Sequence, residues 1–186
     1  YNIFKYIEKL LPFECWHKIK RLAVATGPGG FTGTRITLLL ARTIAQQLNC
    51  PLDGISAFEL MAYRLIKKYK VQKSIKSFWI TQPLKRHGTI GGQYEIINNA
   101  QDKNKVKIKE LVKPSLLPEN FEVKPSLIAK EDIEEDINRL LIISLDLHKN
   151  NIFSNWEEVL PIYRPCIESF GKLQCSLPRH YLLQHW

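Results

Sequence analysis

Long apolar runs are missing from this sequence. The greasiest stretches, residues 36–45 and 140–147, are broken by Arg42 and by Ser144 and Asp146, short of the ~20 residues a membrane-spanning helix needs. No secretory signal opens the chain, so the cytoplasm is the expected location and no membrane partner is expected. Cysteine is sparse: Cys15, Cys50, Cys166 and Cys175 form no C-x-x-C pair and stand at no ligand spacing from a histidine. That argues against a zinc site and makes free thiols the expectation. His17, His87, His148, His180 and His185 are scattered in or beside turns and tails and read as surface residues. No G-x-S-x-G elbow, H-E-x-x-H pair or Cys–His arrangement occurs, and Thr32, Thr34 and Ser56 read as caps with no base beside them. Asp53 could act in catalysis only opposite a second acid. The chain does not read as an enzyme in its own right.

What is present is a folding composition with a strong basic excess. Hydrophobic residues make up 45% and charged residues 24%, ordinary for a globular protein, and 186 residues suffice for one good core or two small lobes. The net charge is +9, with lysines concentrated at 67–76, 85–86 and 103–113. Such a balance fits salt-sensitive association with nucleic acid or an acidic protein face, or simply a solvated basic surface.

Periodicity supplies the layout. Ile3, Ile7, Leu10 and Leu11 give one apolar face of an opening helix. A buried parallel-type strand is expected over 21–25, a helix over 34–49 and a short strand before Ser56. Ser56 caps a third helix, with Glu59 completing a capping box. That helix turns Phe58, Met61, Ala62, Leu65 and Tyr69 inward and Arg64, Lys67 and Lys68 outward. The helix over 34–49 is apolar around most of its girth, so either the fold covers it twice or another protein does. Beyond it, strands are expected at 77–80, 92–97, 106–111 and 126–129, with a loop over 82–91. A helix follows the acidic run 131–136, which suits the positive end of a helix dipole better than a metal; Ile133, Ile137, Leu140 and Leu141 form its expected inner face. The division is an α/β subdomain at 1–72, a mixed α/β subdomain at 73–165 and a tail at 166–186.

Between the first strand and the second helix lies Ala25-Thr26-Gly27-Pro28-Gly29-Gly30-Phe31-Thr32-Gly33-Thr34-Arg35. A glycine-rich strand-to-helix joint can present backbone amides to an anion. The lysine of G-x-x-x-x-G-K-S/T is absent, however, and Gly27, Gly29 and Gly33 are one residue too widely spaced for G-x-G-x-x-G. A tight crossover without ligand accounts for the joint equally well, with Gly33 letting the helix start pack on the strand.

This joint, the Ala-containing helix after it, Ile55-Ser56-Ala57-Phe58-Glu59 and Leu160-Pro161-Ile162-Tyr163-Arg164 resemble the TsaB (YeaZ-type) family, with its G-P-G-S-F-T-G-x-R loop and closing L-P-x-Y-x-R element. The resemblance implies a degenerate actin-like/Hsp70-type ATPase (ASKHA) fold of two subdomains, here without the family's first strands and so N-terminally truncated. It implies a non-catalytic scaffold that binds and activates a TsaD-type transferase for threonylcarbamoyl transfer to adenosine-37 of tRNA. A TsaE-type ATPase joins the same complex, and tRNA is met indirectly. No cofactor is bound by the chain alone, ATP enters at the level of the complex, and a homodimer is an alternative assembly. The glycine-loop residues Gly27, Pro28, Gly29, Phe31, Thr32, Gly33 and Arg35 carry a structural role or a nucleotide or partner contact. Ile3, Ile7, Leu11, Leu39, Arg42 and Gln46 on the first two helices form the implied partner interface. Gly30 stands where the family has serine, and no D-A-R-x-x-x-x-Y element is visible. The competing readings are an ATP-binding enzyme of the same superfold, kinase-like or metallopeptidase-like, and a basic RNA-binding module.

Overall fold

A computed structural model describes residues 3–68, 75–84, 88–98, 106–118 and 122–162. Tyr69, the lysine-rich stretches 70–74 and 85–86, Lys103, Lys105, and the tail with Cys166 and Cys175 lie outside the described residues. The order is α1 (Ile3–Leu10), a 3-10 turn (Phe13–Lys18), β1 (Leu22–Ala25), α2 (Phe31–Leu48), β2 (Leu52–Ile55) and α3 (Ala57–Lys68). It continues with β3 (Ser77–Leu84), β4 (Gly88–Asn98), β5 (Val106–Leu116), β6 (Ser126–Ile128), α4 (Ile133–Lys149) and a second 3-10 turn (Trp156–Glu158).

β1 and β2 pair in parallel from Leu22↔Leu52 to Ala25↔Ile55, with α2 as the crossover between them. Helix α2 begins three residues before its expected start, and Gly33 lies in its first turn with open space where a Cβ would stand. Gly33 therefore does not bring the helix close to the strand. The helix ends at Asn49 in the left-handed region (φ 48°), and the Cys50 amide reaches back to the Ala45 carbonyl at 3.0 Å. One core cluster forms here from Val24, Leu38, Ala45, Cys50, Leu52 and Val159.

The second sheet runs β5-β4-β3-β6, antiparallel except for the parallel β3–β6 pair. The expected loop over 82–91 is mostly strand: Pro83 pairs with Thr89 and Leu84 with Gly88. Pro83 is tolerated because its backbone, in step with Trp79 and Thr81, faces the β6 side of β3, and β6 pairs only with Trp79–Thr81, so the missing N–H has no ladder partner to lose. The third expected strand likewise runs on to Leu116. Phe58, Met61, Ala62 and Leu65 of α3 pack on Phe78, Ile80, Ile90 and Tyr94 in the other core cluster.

Two orientations differ from those the sequence suggests. Arg64 does not point outward; its guanidinium donates to Asp136 at 2.9 and 3.1 Å and to the Lys130 carbonyl at 2.6 Å. Helix α4 is rotated about its axis from the expected setting. Ile133, Ile137 and Leu141 are exposed, while Asp136, Arg139, Leu140, Ile143, Ser144 and Leu147 face inward against α3 and β1. The cause is polar pairing inside the fold. Asp136 meets Arg64, Ser144 meets Asp53, and Arg139 stacks 4.8 Å over the Tyr63 ring. Asp132 accepts the Glu135 amide at 3.2 Å, so the acidic run does cap α4.

Candidate functional site

The glycine joint is a packing node. Gly27 has φ +99°, a conformation that suits glycine, and an added Cβ would stand 2.6 Å from the Ile162 carbonyl oxygen. The Ala57 amide donates to the Gly27 carbonyl at 2.6 Å, and the Ile162 amide donates to the Thr26 carbonyl at 2.7 Å. The joint thus ties the end of β1 to the start of α3 and to the Leu160–Ile162 segment, 135 positions apart from Gly27 to Ile162. Val159 closes over Gly54, where a Cβ would approach it to 2.6 Å. Tyr163 and Arg164 lie outside the described residues. Gly27 and Pro28 are buried and Gly29 sits against the Thr34 hydroxyl. Phe31, Thr32, Gly33 and Arg35 are exposed at the start of α2, with the Arg35 guanidinium 3.8 Å above the Phe31 ring.

Alongside, α1 and α2 enclose an open apolar groove of about 370 Å³ lined by Ile3, Phe4, Trp16, Ile36, Leu39, Leu40, Ile44 and Leu48, with Thr43 and Gln47 at its margin. Ile36, Leu39 and Phe4 remain 50–53% exposed. The wall is set by the 3-10 turn: Trp16 donates its Nε1 proton to the Leu11 carbonyl at 3.0 Å and meets Phe13 edge-on at 4.8 Å. Of the residues named from sequence for an interface, Ile3 and Leu39 line this groove. Ile7 is half-buried, Leu11 and Gln46 are exposed, and Arg42 lies elsewhere, 5.7 Å from the Trp156 ring. Ile36, Leu40, Ile44 and Leu48 belong to the apolar girth read from the sequence of the second helix; Phe4 and Trp16 were not singled out, and the aromatic pair Phe13 and Trp16 beside Pro12 was the available signal.

Among the described residues Asp53 hydrogen-bonds to Arg21, Ser144 and Ser154 and to no acid. Its buried carboxylate receives two hydrogen bonds from Arg21 (2.7 and 2.8 Å), one from Ser144 (2.6 Å) and one from Ser154. Burial alone would raise this carboxyl, yet those bonds and the charge of Arg21 hold it below the usual aspartate range. The bond to Asp53 likewise raises the Arg21 guanidinium. Arg21 also donates to the Ile152 carbonyl at 2.8 Å. The cluster staples β2, α4 and the chain after α4 together, a structural task.

A cleft of about 580 Å³ opens beside it, lined by Thr26, Gly54, Ser56, Glu59, Glu110, Lys113 and the 153–162 segment, Glu158 included. At its base the Ser56 hydroxyl bonds Glu110 at 3.1 Å and Tyr94 at 3.2 Å, and Tyr94 donates to Glu110 at 3.3 Å. Ser56 also accepts the Glu59 amide at 3.1 Å, the cap expected from sequence. Burial, then the negative charge of Glu110, push the Glu59 carboxyl up to about 7 against the opposing charge of Arg139. Burial is also the main cause that raises the Tyr94 phenol, and it raises the Cys50 thiol. Among the described residues no three His, Cys, Asp or Glu side chains gather as a metal site requires. No helix there is long and apolar enough to cross a membrane. Cys15 and Cys50 are free thiols, and His17 and His148 are exposed.

Sheet, crossover helix and glycine joint define a mixed α/β protein of YeaZ-like architecture. Its fold is similar to that of YeaZ from Pseudomonas aeruginosa, at a TM-score of 0.58 and 16% identity over 87% of this chain and 84% of the other. Curated relatives add sequence likeness. The tRNA threonylcarbamoyladenosine biosynthesis protein TsaB of Bacillus subtilis (strain 168) is 41% identical over 44 residues, 24% of this chain and 19% of that protein. The protein of the same name from Buchnera aphidicola subsp. Baizongia pistaciae (strain Bp) is 28% identical over 163 residues, 79% of this chain and 73% of that one. The match thus spans about a fifth of the Bacillus relative's length and nearly three quarters of the Buchnera one's. Residues 6–73 match the family model described as TsaD: tRNA N6-adenosine threonylcarbamoyltransferase. Together these likenesses support a TsaB/YeaZ-type family for the chain.

Proposed function

We propose that the chain is a non-catalytic partner subunit in tRNA threonylcarbamoyladenosine biosynthesis, docking and activating a TsaD-type transferase through α1 and α2. The observation that carries this reading is the apolar groove between those helices, whose rim leaves Phe4, Ile36 and Leu39 half exposed to water. Full burial of such a side chain contributes ~1.5–3 kcal/mol, so covering the exposed halves of three contributes roughly 2–4 kcal/mol, a sound nucleus for a helix–helix interface. The names carried by the relatives supply the pathway, and the TsaD-type match over 6–73 supplies the kind of partner.

In this reading the frame is a degenerate ASKHA fold whose glycine joint is architectural. Its support is that Gly27 and Pro28 are buried beneath the Ile162 segment and that Glu110 and Glu158 outnumber Lys113 in the neighbouring cleft, which disfavours an anion. In the same reading ATP enters at the level of the complex, with a TsaE-type ATPase, and tRNA is met through the transferase.

The test is co-elution of the purified protein with a TsaD-type subunit. Leu39→Glu places a charge in the groove at a site 53% exposed, so the fold should survive by circular dichroism while the complex is lost. A variant that still binds, or a native protein that never does, overturns the reading. ATP hydrolysis by the chain without partners would support the enzyme alternative instead.

A further inference from the structure

The positive charge of the chain is not spread evenly. Residues 67–76 and 103–109 hold nine of the 27 basic residues and none of the 18 acidic ones. The other 18 basic residues balance the acids, so these two stretches account for the whole excess of +9. Lys67, Lys68, Lys76, Lys107 and Lys109 fall among the described residues, and all five are exposed.

The fold brings them to one end of the second sheet. Ile66 of α3, Ile75, Ile96 of β4 and Ile108 of β5 pack against the same core cluster. The Ile96 amide donates to the Lys76 carbonyl at 2.8 Å, and Ile97 stands opposite Lys107 in the ladder. Lys76 and Lys107 therefore flank the end of β4 from its two sides, and Lys67 and Lys68 follow Ile66 in the last turn of α3. Side chains alternate along a strand, and Ile96 and Ile108 turn toward the core. Lys107 and Lys109 thus stand together on the opposite face, about 7 Å apart. Ser77 and Gln93 share that face, the Gln93 amide donating to the Ser77 hydroxyl at 3.4 Å. Glu95, half-buried opposite Lys109, offsets one of the charges.

We infer that this lysine rim binds the phosphate backbone of RNA directly. A narrow line of ammonium groups, from the end of α3 across the tip of the sheet to β5, has the shape of a track for a strand of evenly spaced charges. With a hydroxyl and an amide beside it, the rim suits phosphates and sugars and reads no base. In the docking role above the transferase holds the tRNA, and the rim adds a contact of the chain's own. Only the choice of tRNA as the RNA rests on that reading.

Fluorescence anisotropy of a labelled tRNA titrated with the full chain, over about 50–200 mM salt, tests this. Binding should show a dissociation constant on the order of 10 µM near physiological salt and weaken steeply as salt rises. The rim variant, Lys107→Glu with Lys109→Glu, should bind on the order of tenfold more weakly and lose about two from the salt slope, one for each lysine. A control variant, Lys18→Glu with Lys149→Glu, makes the same charge change at exposed sites on other elements and should stay within about twofold of the native protein. Both should keep the native circular dichroism spectrum. Leu39→Glu should bind tRNA as the native protein does, and the rim variant should still co-elute with a TsaD-type subunit, so failure here and failure of the docking reading are separate results. No binding at ~50 mM salt, or an equal loss in the rim and control variants, overturns the proposal. Polyglutamate bound as tightly as tRNA, with the same loss in the rim variant, overturns RNA as the partner and assigns the rim to an acidic protein.

Discussion

Replacing Glu59 by glutamine should make the protein more stable at pH 8 and leave it unchanged at pH 4. The Glu59 carboxyl sits in the cleft beside Glu110, and burial with that neighbour pushes it up to about 7 from an ordinary value near 4.5. The unfolded chain releases the proton near 4.5 and the folded protein near 7, so between those values the folded state holds more protons. Stability therefore falls as pH rises through this window and levels off above it. At ~1.4 kcal/mol per pH unit the upper bound is about 3.5 kcal/mol, and a half-buried carboxyl open to water on one side should realise about 1–2 kcal/mol. Glutamine keeps the shape and donors of the protonated form without the charge. Thermal or urea unfolding of both proteins at pH 4, 5, 6, 7 and 8 gives the answer by difference, because all other titrating groups are shared. The expected result is coincidence at pH 4, a gap that opens from pH 5 upward, and about 2–8 °C in Tm at pH 8 in favour of the variant. Parallel pH profiles, or a variant less stable at pH 8, would refute the placement of Glu59 against Glu110.

Asp53→Ala strands a nearly buried Arg21 and two serines, and should cost about 3–5 kcal/mol by chemical denaturation. The contribution of Asp53 is present above the usual aspartate range and lost as pH falls below its depressed value, so the variant should also lack part of the native protein's acid-side loss of stability. Gly27→Ala should destabilise by more than about 2 kcal/mol, since it combines a positive φ with a 2.6 Å approach to the Ile162 carbonyl oxygen. Gly33→Ala, in the same loop motif but inside α2 with open space around it, should instead stabilise by about 0.5–1 kcal/mol.

Most elements were legible in the sequence because their signals are local. Asn49 and Ser56 mark helix ends by their own chemistry, and the Asp132 cap follows from an acidic run before an apolar helix. What was not legible depends on partners distant in sequence. Arg64 and Asp136, 72 positions apart, satisfy each other inside the fold, so both look like surface residues until α3 and α4 are seen to pack. The same holds for Ser144 against Asp53, 91 positions away. A polar residue with a hidden partner alters the amphipathic pattern of its helix, and that is why Ile133, Ile137 and Leu141 of the expected inner face of α4 are exposed while Leu140 alone of the four turns inward. The expected loop over 82–91 failed for a related reason: Pro83 and the glycines 88, 91 and 92 are poor strand formers alone but are held in register by the pairing of β3 with β4 and of β4 with β5. At the candidate site, Leu39 and Ile3 were legible from the excess apolar girth of α2 and the stripe on α1, whereas Trp16 enters the groove only through the turn that folds it back onto Leu11. The Ser56–Tyr94–Glu110 network joins three elements and left no trace in local spacing.

The claim that α1 and α2 are a docking face is tested most directly by isothermal titration of a purified TsaD-type subunit with the native protein and with Leu39→Glu. A 1:1 complex with the native protein, weakened at least about a hundredfold by a charge in the groove, is the predicted result. Equal affinity for both proteins, or no heat of binding with the native one, would contradict it.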